Sequence, residues 1–231
     1  MSNTKLYKAF GLVIESALPI PQIAEVRDAK PDVRIVPAKL RGIVDPEAPT
    51  TAEGGCIIPT LTDTLFRVTN GDLIEADVCE ADTESNAAVY LMGSCMGAIL
   101  VQRGFMLLHG SCVTDGRHAI LITGDSGAGK STTAAEFLRR GWKLLTDDVT
   151  AVFDVEGTPT VQPSYPSQKL WRDALDRYEV SDDDVHSLYF SEEREKFGVF
   201  PYYLKRGYGL QNLFYGFVGH VSLACCSQAT V

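Results

Sequence analysis

The 231-residue sequence has few of the features that mark membrane, secreted or nucleic-acid-binding proteins. No apolar run reaches the roughly 18–20 residues that a transmembrane helix needs, and the N-terminus MSNTKLYKAF has no apolar core of a signal peptide. No run of Lys or Arg exceeds two residues, and the formal net charge is −9, which argues against a nucleic acid or a membrane as partner. The sequence therefore predicts a cytoplasmic protein.

Metal-binding signatures are equally scarce. Histidine occurs only four times, and no C-x-x-C spacing occurs among the six cysteines. This pattern favours buried or free thiols over a zinc site. The acidic run at 181–184 (SDDD) indicates a solvated turn or a helix cap rather than a metal site.

The N-terminal third has the composition of a β-rich subdomain. Short runs of β-branched and aliphatic residues at 12–14, 33–36, 56–58 and 65–68 alternate with Pro, Gly and Asp clusters. The pair Asn70-Gly71 predicts a hairpin turn, because both residues tolerate positive φ. We expect an antiparallel β subdomain over residues 1–86 and a second domain over 87–231.

The second domain begins with a buried helix over 87–102, because apolar residues cover most of its circumference. Strands are expected over 105–109 and 118–123, joined by an Asp115-Gly116 turn. A helix over 131–140 and a strand over 143–146 follow. The domain is thus of the α/β class.

Between the strand over 118–123 and the next helix, the segment GDSGAGKS at 124–131 fits the phosphate-binding pattern G-x-x-x-x-G-K-[ST]. Backbone N–H groups of such a loop surround phosphate oxygens at a helix N-terminus. The pattern predicts that ATP is bound with Mg²⁺ on the hydroxyl of Ser131. The candidate ligands are Gly124, Asp125, Ser126, Gly127, Ala128, Gly129, Lys130, Ser131 and Thr132.

Two adjacent carboxylates, Asp147 and Asp148, end the strand that follows this helix. One could complete a Mg²⁺ shell and the other could accept a proton from an attacking hydroxyl, although an Asp-Asp pair can also cap a helix or form a turn. His109, at the end of an apolar strand, is either a packed residue or a partner of these carboxylates. The absence of N-K-x-D and L-S-G-G-Q motifs disfavours a GTPase switch and a transporter ATPase.

Three segments together resemble the catalytic core of the HPr kinase/phosphorylase family, at 108–113 (LHGSCV), 120–131 (ILITGDSGAGKS) and 140–148 (RGWKLLTDD). That family has an L-H-G strand, a G-D-S-G-x-G-K-S loop and an R-G-H-x-L-V-A-D-D segment in this order. The resemblance implies the mixed sheet of phosphoenolpyruvate carboxykinase-like kinases. It also implies that Asp147 is the catalytic acid/base, that Asp148 lies near Mg²⁺ with Ser131, and that His109 sits against the pair.

The sequence also departs from that pattern. Trp142 replaces the usual histidine, Thr132 replaces the usual glutamate, and no L-E-I-R-G segment occurs. Segments 96–104, 165–175 and 194–199 instead resemble the HPr-kinase-like proteins of lasso-peptide biosynthesis, which implies phosphorylation of the C-terminal serine of a lasso precursor peptide. Arg194 and Lys196 are then either cationic partners of phosphate or peptide carboxylate, or part of an exposed charged helix end.

Two other functions stay open. One is an HPr(Ser) kinase/phosphorylase that regulates sugar uptake, and the other is a nucleotide-dependent peptide-binding module without catalysis. The presence of Lys130, Ser131 and both carboxylates favours a catalytic protein. A homo-oligomer is also left open.

Overall fold

The computed structural model describes residues 4–21, 23, 25–47, 55–80, 82, 84–125, 127–164, 168–171, 176, 185–190, 195–199 and 221–226. The chain forms two compact units, Met1–Met106 and Leu107–Val231. Within the described ranges, no helix is both long and apolar enough to cross a membrane.

The first unit is built on a seven-stranded sheet of order β3-β1-β2-β4-β7-β6-β5. The predicted β-rich character of this region is confirmed, and each of the four apolar runs lies in a strand. The strands are β1 (Lys5–Ala9), β2 (Leu12–Ser16), β3 (Glu25–Val26), β4 (Val33–Pro37), β5 (Cys56–Pro59), β6 (Leu65–Thr69) and β7 (Leu73–Asp77).

The pairing direction in this sheet differs from the expected antiparallel arrangement. Strand β4 runs parallel to both of its neighbours, with Ile14 opposite Val33 in β2 and Ile35 opposite Ile74 in β7. The remaining pairs are antiparallel. The prediction was wrong for β4 because its neighbours are reached by long connections, and the alternation of apolar residues along a strand does not reveal the direction of its partner.

The predicted hairpin turn at Asn70-Gly71 is confirmed. Both residues have positive φ, 57° and 70°, and Asp72 N donates to Thr69 O at 3.3 Å. The turn joins β6 to β7, which pair in antiparallel register over five residue pairs. A backbone bend that favours Asn and Gly therefore sets the register of this part of the sheet.

A helical segment completes the first unit, in three parts: α1 (Glu84–Tyr90), a π-helical turn (Leu91–Cys95) and α2 (Met96–Gln102). The segment predicted to be a buried helix over 87–102 is buried along one side only: Ala88, Leu91, Met92, Cys95, Met96, Ile99 and Leu100 are buried, whereas Val101 is 59% exposed. The Gln102 side chain donates to Val68 O and accepts from Gly71 N. Because the helix binds the first sheet in this way, the division between the units falls after Met106, whereas the sequence placed it at residue 86.

The second unit contains a mixed sheet of order β12-β11-β8-β9-β16, with β10 paired to β8, and a separate sheet of order β13-β15-β14. The expected strand–turn–strand–loop–helix–strand succession is present. Its elements are β8 (Met106–Thr114), β9 (Ala119–Gly124), α3 (Lys130–Arg139), β10 (Lys143–Thr146), β11 (Val149–Val155), β12 (Thr158–Val161), β13 (Gln168–Trp171), β14 (Val185–Phe190), β15 (Glu195–Val199) and β16 (Val221–Cys226).

Strand β9 is an interior strand of this sheet, with β8 antiparallel on one side and the edge strand β16 parallel on the other. One face of the sheet packs Val113, Ile122 and Leu144 against Ala134 of α3. The other face buries a second apolar cluster of Cys112, Ala119, Leu121, Leu145 and Val161. The chain thus has a mixed α/β fold in which one helix lies against the strand that leads into it.

Candidate active site

The loop between β9 and α3 contains two glycines with positive φ. Strand β9 ends at Gly124, and α3 begins at Lys130 after Gly129, which has φ +89°. Gly127 also has positive φ, +81°, so a side chain at either position would be strained. The turn places the unpaired N–H groups of the ten-residue helix α3 beside the loop, which favours an anion there.

Lys130 lies inside this loop. The residue is 8% exposed, and its ammonium donates to the carbonyl oxygens of Gly124 at 2.9 Å and Asp125 at 3.0 Å. A positive charge is therefore held among the backbone groups of the loop, at the start of α3. Such a charge can meet the phosphates of a nucleotide after a change of side-chain conformation.

Asp147 connects the strand β10 to the start of α3. Its side chain is buried, with 4% of the residue exposed. Its Oδ1 atom accepts hydrogen bonds from the Ser111 hydroxyl at 2.5 Å and from the Ser131 hydroxyl at 3.3 Å. One carboxylate oxygen therefore joins the second residue of the phosphate-loop helix to strand β8.

Asp148 stands at a tight turn between β10 and β11. It has φ +75°, and Val149 N donates to Asp147 O at 3.0 Å across it, which closes a three-residue turn. A non-glycine residue in this region is uncommon, although Asp adopts it more readily than most. The backbone therefore reverses direction immediately after Asp147.

His109 and Gly110 of β8 bind this turn from the neighbouring strand. The Nδ1 atom of His109 is 2.9 Å from Asp148 O and 3.7 Å from Asp148 Oδ1, and Gly110 N donates to Asp148 O at 3.2 Å. The His109 side chain is 59% exposed, so its other ring nitrogen can meet solvent or a ligand. A Cβ on Gly110 would stand 2.4 Å from Ile122 O, which explains why the histidine is followed by glycine.

Two buried threonine hydroxyls stabilise the same turn through hydrogen bonds. The hydroxyls of Thr146 and Thr150 are hydrogen-bonded to each other, and Thr150 also donates to Gly110 O at 3.1 Å. Both threonines have no exposed surface. Buried hydroxyls with satisfied partners rigidify a site, and these two fix the ends of the strands that carry Asp147 and Asp148.

The structure joins Ser131 to Asp147, and His109 to the turn at Asp148, through hydrogen bonds. Lys130 precedes Ser131 in the chain, and its ammonium contacts the carbonyl oxygens of the loop. Of the predicted metal pair, Ser131 donates a hydrogen bond to Asp147 Oδ1, and Asp148 Oδ1 lies 3.7 Å from His109 Nδ1. Thr132 lies in the first turn of α3. Ser126 and Arg194 lie outside the described residues, and Lys196 lies in β15.

Two residues of the site escaped the sequence reasoning. One is Ser111, the partner of Asp147, and the other is Gln168 of β13, which is 3% exposed and donates from Nε2 to Ser131 O at 2.7 Å. A signal for Ser111 existed in the sequence, because it follows His109 by two residues and so lies on the same face of β8. No local pattern indicated Gln168, which contacts the helix from a separate sheet.

Cys112 follows Ser111 in β8 and is buried. Burial raises the pKa of the Cys112 thiol to about 12, so this neighbour of Ser111 stays protonated at neutral pH. In the part of the chain that the structure describes, no group of three or more His, Cys, Asp or Glu side chains could hold a metal ion. A metal bound here would need hydroxyl, phosphate or water oxygens as further ligands, which is the usual situation of Mg²⁺.

Known proteins share the segment that contains this site. Residues 103–168 match the family model of the HPr Serine kinase C-terminal domain. Over 50 residues the chain is 50% identical to the HPr kinase/phosphorylase of Clostridium beijerinckii, covering 22% of this chain and 17% of that protein. Over 46 residues it is 52% identical to the HPr kinase/phosphorylase of Limosilactobacillus reuteri, covering 20% of this chain and 14% of that protein.

A solved structure, the Hpr(Ser) kinase/phosphatase from Coxiella burnetii, is similar over 24% of this chain and 34% of that chain. The sequence identity is 25% and the TM-score is 0.23. The matched segment spans 17% and 14% of the lengths of the two curated relatives. The family model covers the loop and the turn, and the chain spans less than a fifth of the length of these curated relatives.

Proposed function

We propose that this chain, whose residues 103–168 belong to an HPr-kinase-like family, is an ATP- and Mg²⁺-dependent kinase that phosphorylates a serine of a peptide or small protein. The observation that supports this best is the Asp147 carboxylate, buried and 3.3 Å from the hydroxyl of Ser131 at the start of α3. A proton acceptor therefore lies next to the loop that would hold the phosphates.

The residues present fit a nucleotide with its metal ion. The loop amides, the N-terminus of α3 and the Lys130 ammonium form an anion-binding concavity. The Ser131 hydroxyl and the carboxylates of Asp147 and Asp148 are hard oxygen ligands of the kind that Mg²⁺ prefers. When bound, Mg²⁺ would neutralise charge on the phosphate oxygens.

In the proposed reaction, the serine oxygen of the acceptor forms a bond to the γ-phosphorus while the bond from that phosphorus to the bridging oxygen breaks, leaving ADP. Asp147 accepts the hydroxyl proton as general base. Lys130 and the loop amides hold the charge that spreads over the phosphoryl oxygens. We assign Asp148 to Mg²⁺ binding. His109 stabilises the turn through its hydrogen bond with the carbonyl oxygen of Asp148.

The acceptor that we favour is the C-terminal serine of a lasso precursor peptide. Support comes from segments 96–104, 165–175 and 194–199, which resemble the kinases of that biosynthesis. At the position where the HPr enzymes usually have histidine, Trp142 packs edge-on against Phe137 with 5.0 Å between ring centroids. The residue at this position therefore belongs to the packing of α3.

HPr is the second candidate acceptor, because the curated relatives that match the site segment are HPr kinase/phosphorylases. The test is intact-mass spectrometry of a lasso precursor peptide and of HPr, each incubated with the protein, ATP and Mg²⁺. We expect the peptide to gain the mass of one phosphoryl group, and the gain to vanish with EDTA or with Asp147→Asn.

Other outcomes would redirect the proposal. A gain on HPr alone would assign the protein to the regulatory kinases, and release of pyrophosphate from phospho-HPr and inorganic phosphate would add the phosphorylase reaction. Bound nucleotide without a gain on either acceptor would contradict the kinase proposal for both and favour a peptide-binding module.

A further inference from the structure

We propose that Ser111 is a positioning residue that holds the Asp147 carboxylate in its working orientation, an inference that rests on the proposed kinase function. Ser111 is 1% exposed, and its hydroxyl donates to Asp147 Oδ1 at 2.5 Å. Nothing in the motif assignments gives this residue a role. Its contact with the base, rather than with substrate, makes it a positioning residue.

The topology explains how Ser111 reaches Asp147. Strand β8 pairs with β9 on one side, where Ser111 stands opposite Ile122, and with β10 on the other, where Cys112 stands opposite Thr146. Strand β9 leads into the phosphate loop, and β10 ends one residue before Asp147. Strand β8 is therefore the shared neighbour of the two strands whose ends must be aligned, and Ser111 lies on it at that level.

The two hydroxyls on Asp147 differ in what they could do during turnover. Ser131 makes the longer contact, 3.3 Å, and is also the residue assigned to Mg²⁺, so its hydroxyl would turn its lone pairs towards the metal. Ser111 makes the shorter contact from inside the sheet, where it pairs with Ile122 of β9 and its neighbour Cys112 pairs with Thr146 of β10. The hydrogen bond from Ser111 to Asp147 can therefore persist when the Ser131 hydroxyl binds Mg²⁺.

A carboxylate at the end of a strand needs such a bond. Asp147 follows the last paired residue of β10 and precedes the strained turn at Asp148, so backbone pairing does not fix its side-chain rotamer. An error of about 1 Å in the position of a catalytic group can lower the rate by roughly 10²-fold. Ser111 would thus contribute to turnover rather than to nucleotide binding.

The test compares Ser111→Ala and Ser111→Thr with the control Thr114→Val. Thr114 lies on the same strand and donates to His118 O at 2.7 Å, away from the carboxylates. For Ser111→Ala we expect kcat to fall by about 10–100-fold, while KM for ATP changes by less than about 3-fold. Ser111→Thr, which keeps the hydroxyl, should restore most of kcat, and Thr114→Val should leave kcat near that of the wild type.

A second measurement does not depend on activity. The midpoints of thermal unfolding are compared for Ser111→Ala, Asp147→Asn and the double variant. If the two side chains are coupled, the shift of the double variant should differ from the sum of the single shifts by about 2–4 °C. The pair Thr114→Val and Asp147→Asn should be additive.

Additive shifts for Ser111 and Asp147, or a Ser111→Ala variant with unchanged kcat, would overturn the inference. So would a loss that appears in KM alone. If the wild-type protein is inactive but Ser111 and Asp147 are coupled in thermal unfolding, the proposed kinase function would be contradicted. Ser111 would then still be the residue that orients Asp147.

Discussion

Each unit of the molecule contains a buried aspartate at the end of a strand, and the two differ in their hydrogen-bond donors. Asp77, in the first unit, accepts from the backbone N–H groups of Leu40 and Arg41 and from the Arg41 guanidinium, at 2.7–2.9 Å. Asp147, in the second unit, accepts from the hydroxyls of Ser111 and Ser131. The residues are 8% and 4% exposed, so burial alone does not distinguish them.

The two sets of donors differ in whether they can give up their hydrogen bond to the carboxylate. A backbone N–H and a guanidinium can only donate, so they keep Asp77 ionised and in one place. The hydrogen bonds with Arg41 hold the pKa of Asp77 far below its ordinary value. A hydroxyl can rotate and accept, so Ser131 can yield the carboxylate to a cation or a substrate proton. We infer that Asp77 is a structural carboxylate and that Asp147 is available for chemistry.

The largest effect that separates the two is expected from Asp147→Asn. Because an amide cannot accept the hydroxyl proton, phosphoryl transfer should fall by about 10²–10⁴-fold. Nucleotide affinity should stay near that of the wild type, because the loop and Lys130 are intact. Single-turnover kinetics measure the first quantity and calorimetric titration with ATP measures the second. Phosphoryl transfer by this variant at the wild-type rate would contradict the assignment of Asp147 as the general base.

Lys130→Ala should affect binding and transfer together. The ammonium is the charge held inside the phosphate loop, and a hydrogen bond to a charged group contributes about 1.5–3 kcal/mol, which corresponds to roughly 10–100-fold in affinity. Calorimetry with ATP gives the change in affinity, with Lys143→Ala as the control because Lys143 is an exposed lysine of β10. Equal affinities for the two variants would contradict the phosphate assignment of Lys130.

The parts of the structure that could be predicted from the sequence are formed by residues close to one another in the chain. The loop at 124–131, the helix after it and the Asn70-Gly71 turn follow from local backbone requirements, so their residue types indicate them directly. The Ser111–Asp147 bond joins residues 36 positions apart, and the Gln168–Ser131 bond joins residues 37 positions apart. Such contacts depend on which strands become neighbours, and that choice is made by tertiary packing.

The same limit explains the error in the first sheet. Alternating apolar residues identified the strands but not the parallel pairing of β4 with β2 and β7. It also explains the position of the unit boundary, because Gln102 and Arg103 bind the first sheet through side-chain hydrogen bonds that a helical pattern does not contain. Element types follow from local patterns, whereas their partners do not.

Asp77→Asn tests the structural side of the comparison. At pH 7 the variant should lose about 2–3 kcal/mol of unfolding free energy, because donors arranged for a carboxylate meet an amide. The native fold lowers the pKa of Asp77 below its ordinary 3.8, so its stabilisation is complete above that value and declines as the pH falls through the native pKa. The gap between variant and wild type should therefore shrink below about pH 4.

Denaturant unfolding at pH 7, 5 and 3 measures this dependence. The control is Glu75→Gln, which removes an ion pair with Arg67 whose carboxylate side chain is 19% exposed, against 11% for Asp77, and which should cost less than about 1 kcal/mol. A gap for Asp77→Asn that is independent of pH, or no larger than that of the control, would contradict the structural assignment.

The smallest effect is expected from Gln168→Leu. Gln168 donates to the carbonyl of Ser131, so its loss should loosen the first turn of α3 without removing any phosphate ligand. One neutral hydrogen bond contributes about 1 kcal/mol, so we expect ATP affinity to fall by up to about 5-fold. The matched control is Gln102→Leu, which removes a comparable side-chain bond to Val68 in the first unit.

Calorimetric titration with ATP should show weaker binding for Gln168→Leu and unchanged binding for Gln102→Leu, although both variants should unfold at lower temperature. Equal affinities for the two would mean that the start of α3 keeps its geometry without Gln168. The sheet that contains β13 would then not contribute to nucleotide binding. Only the carboxylates of Asp77 and Asp147 would then distinguish the two units.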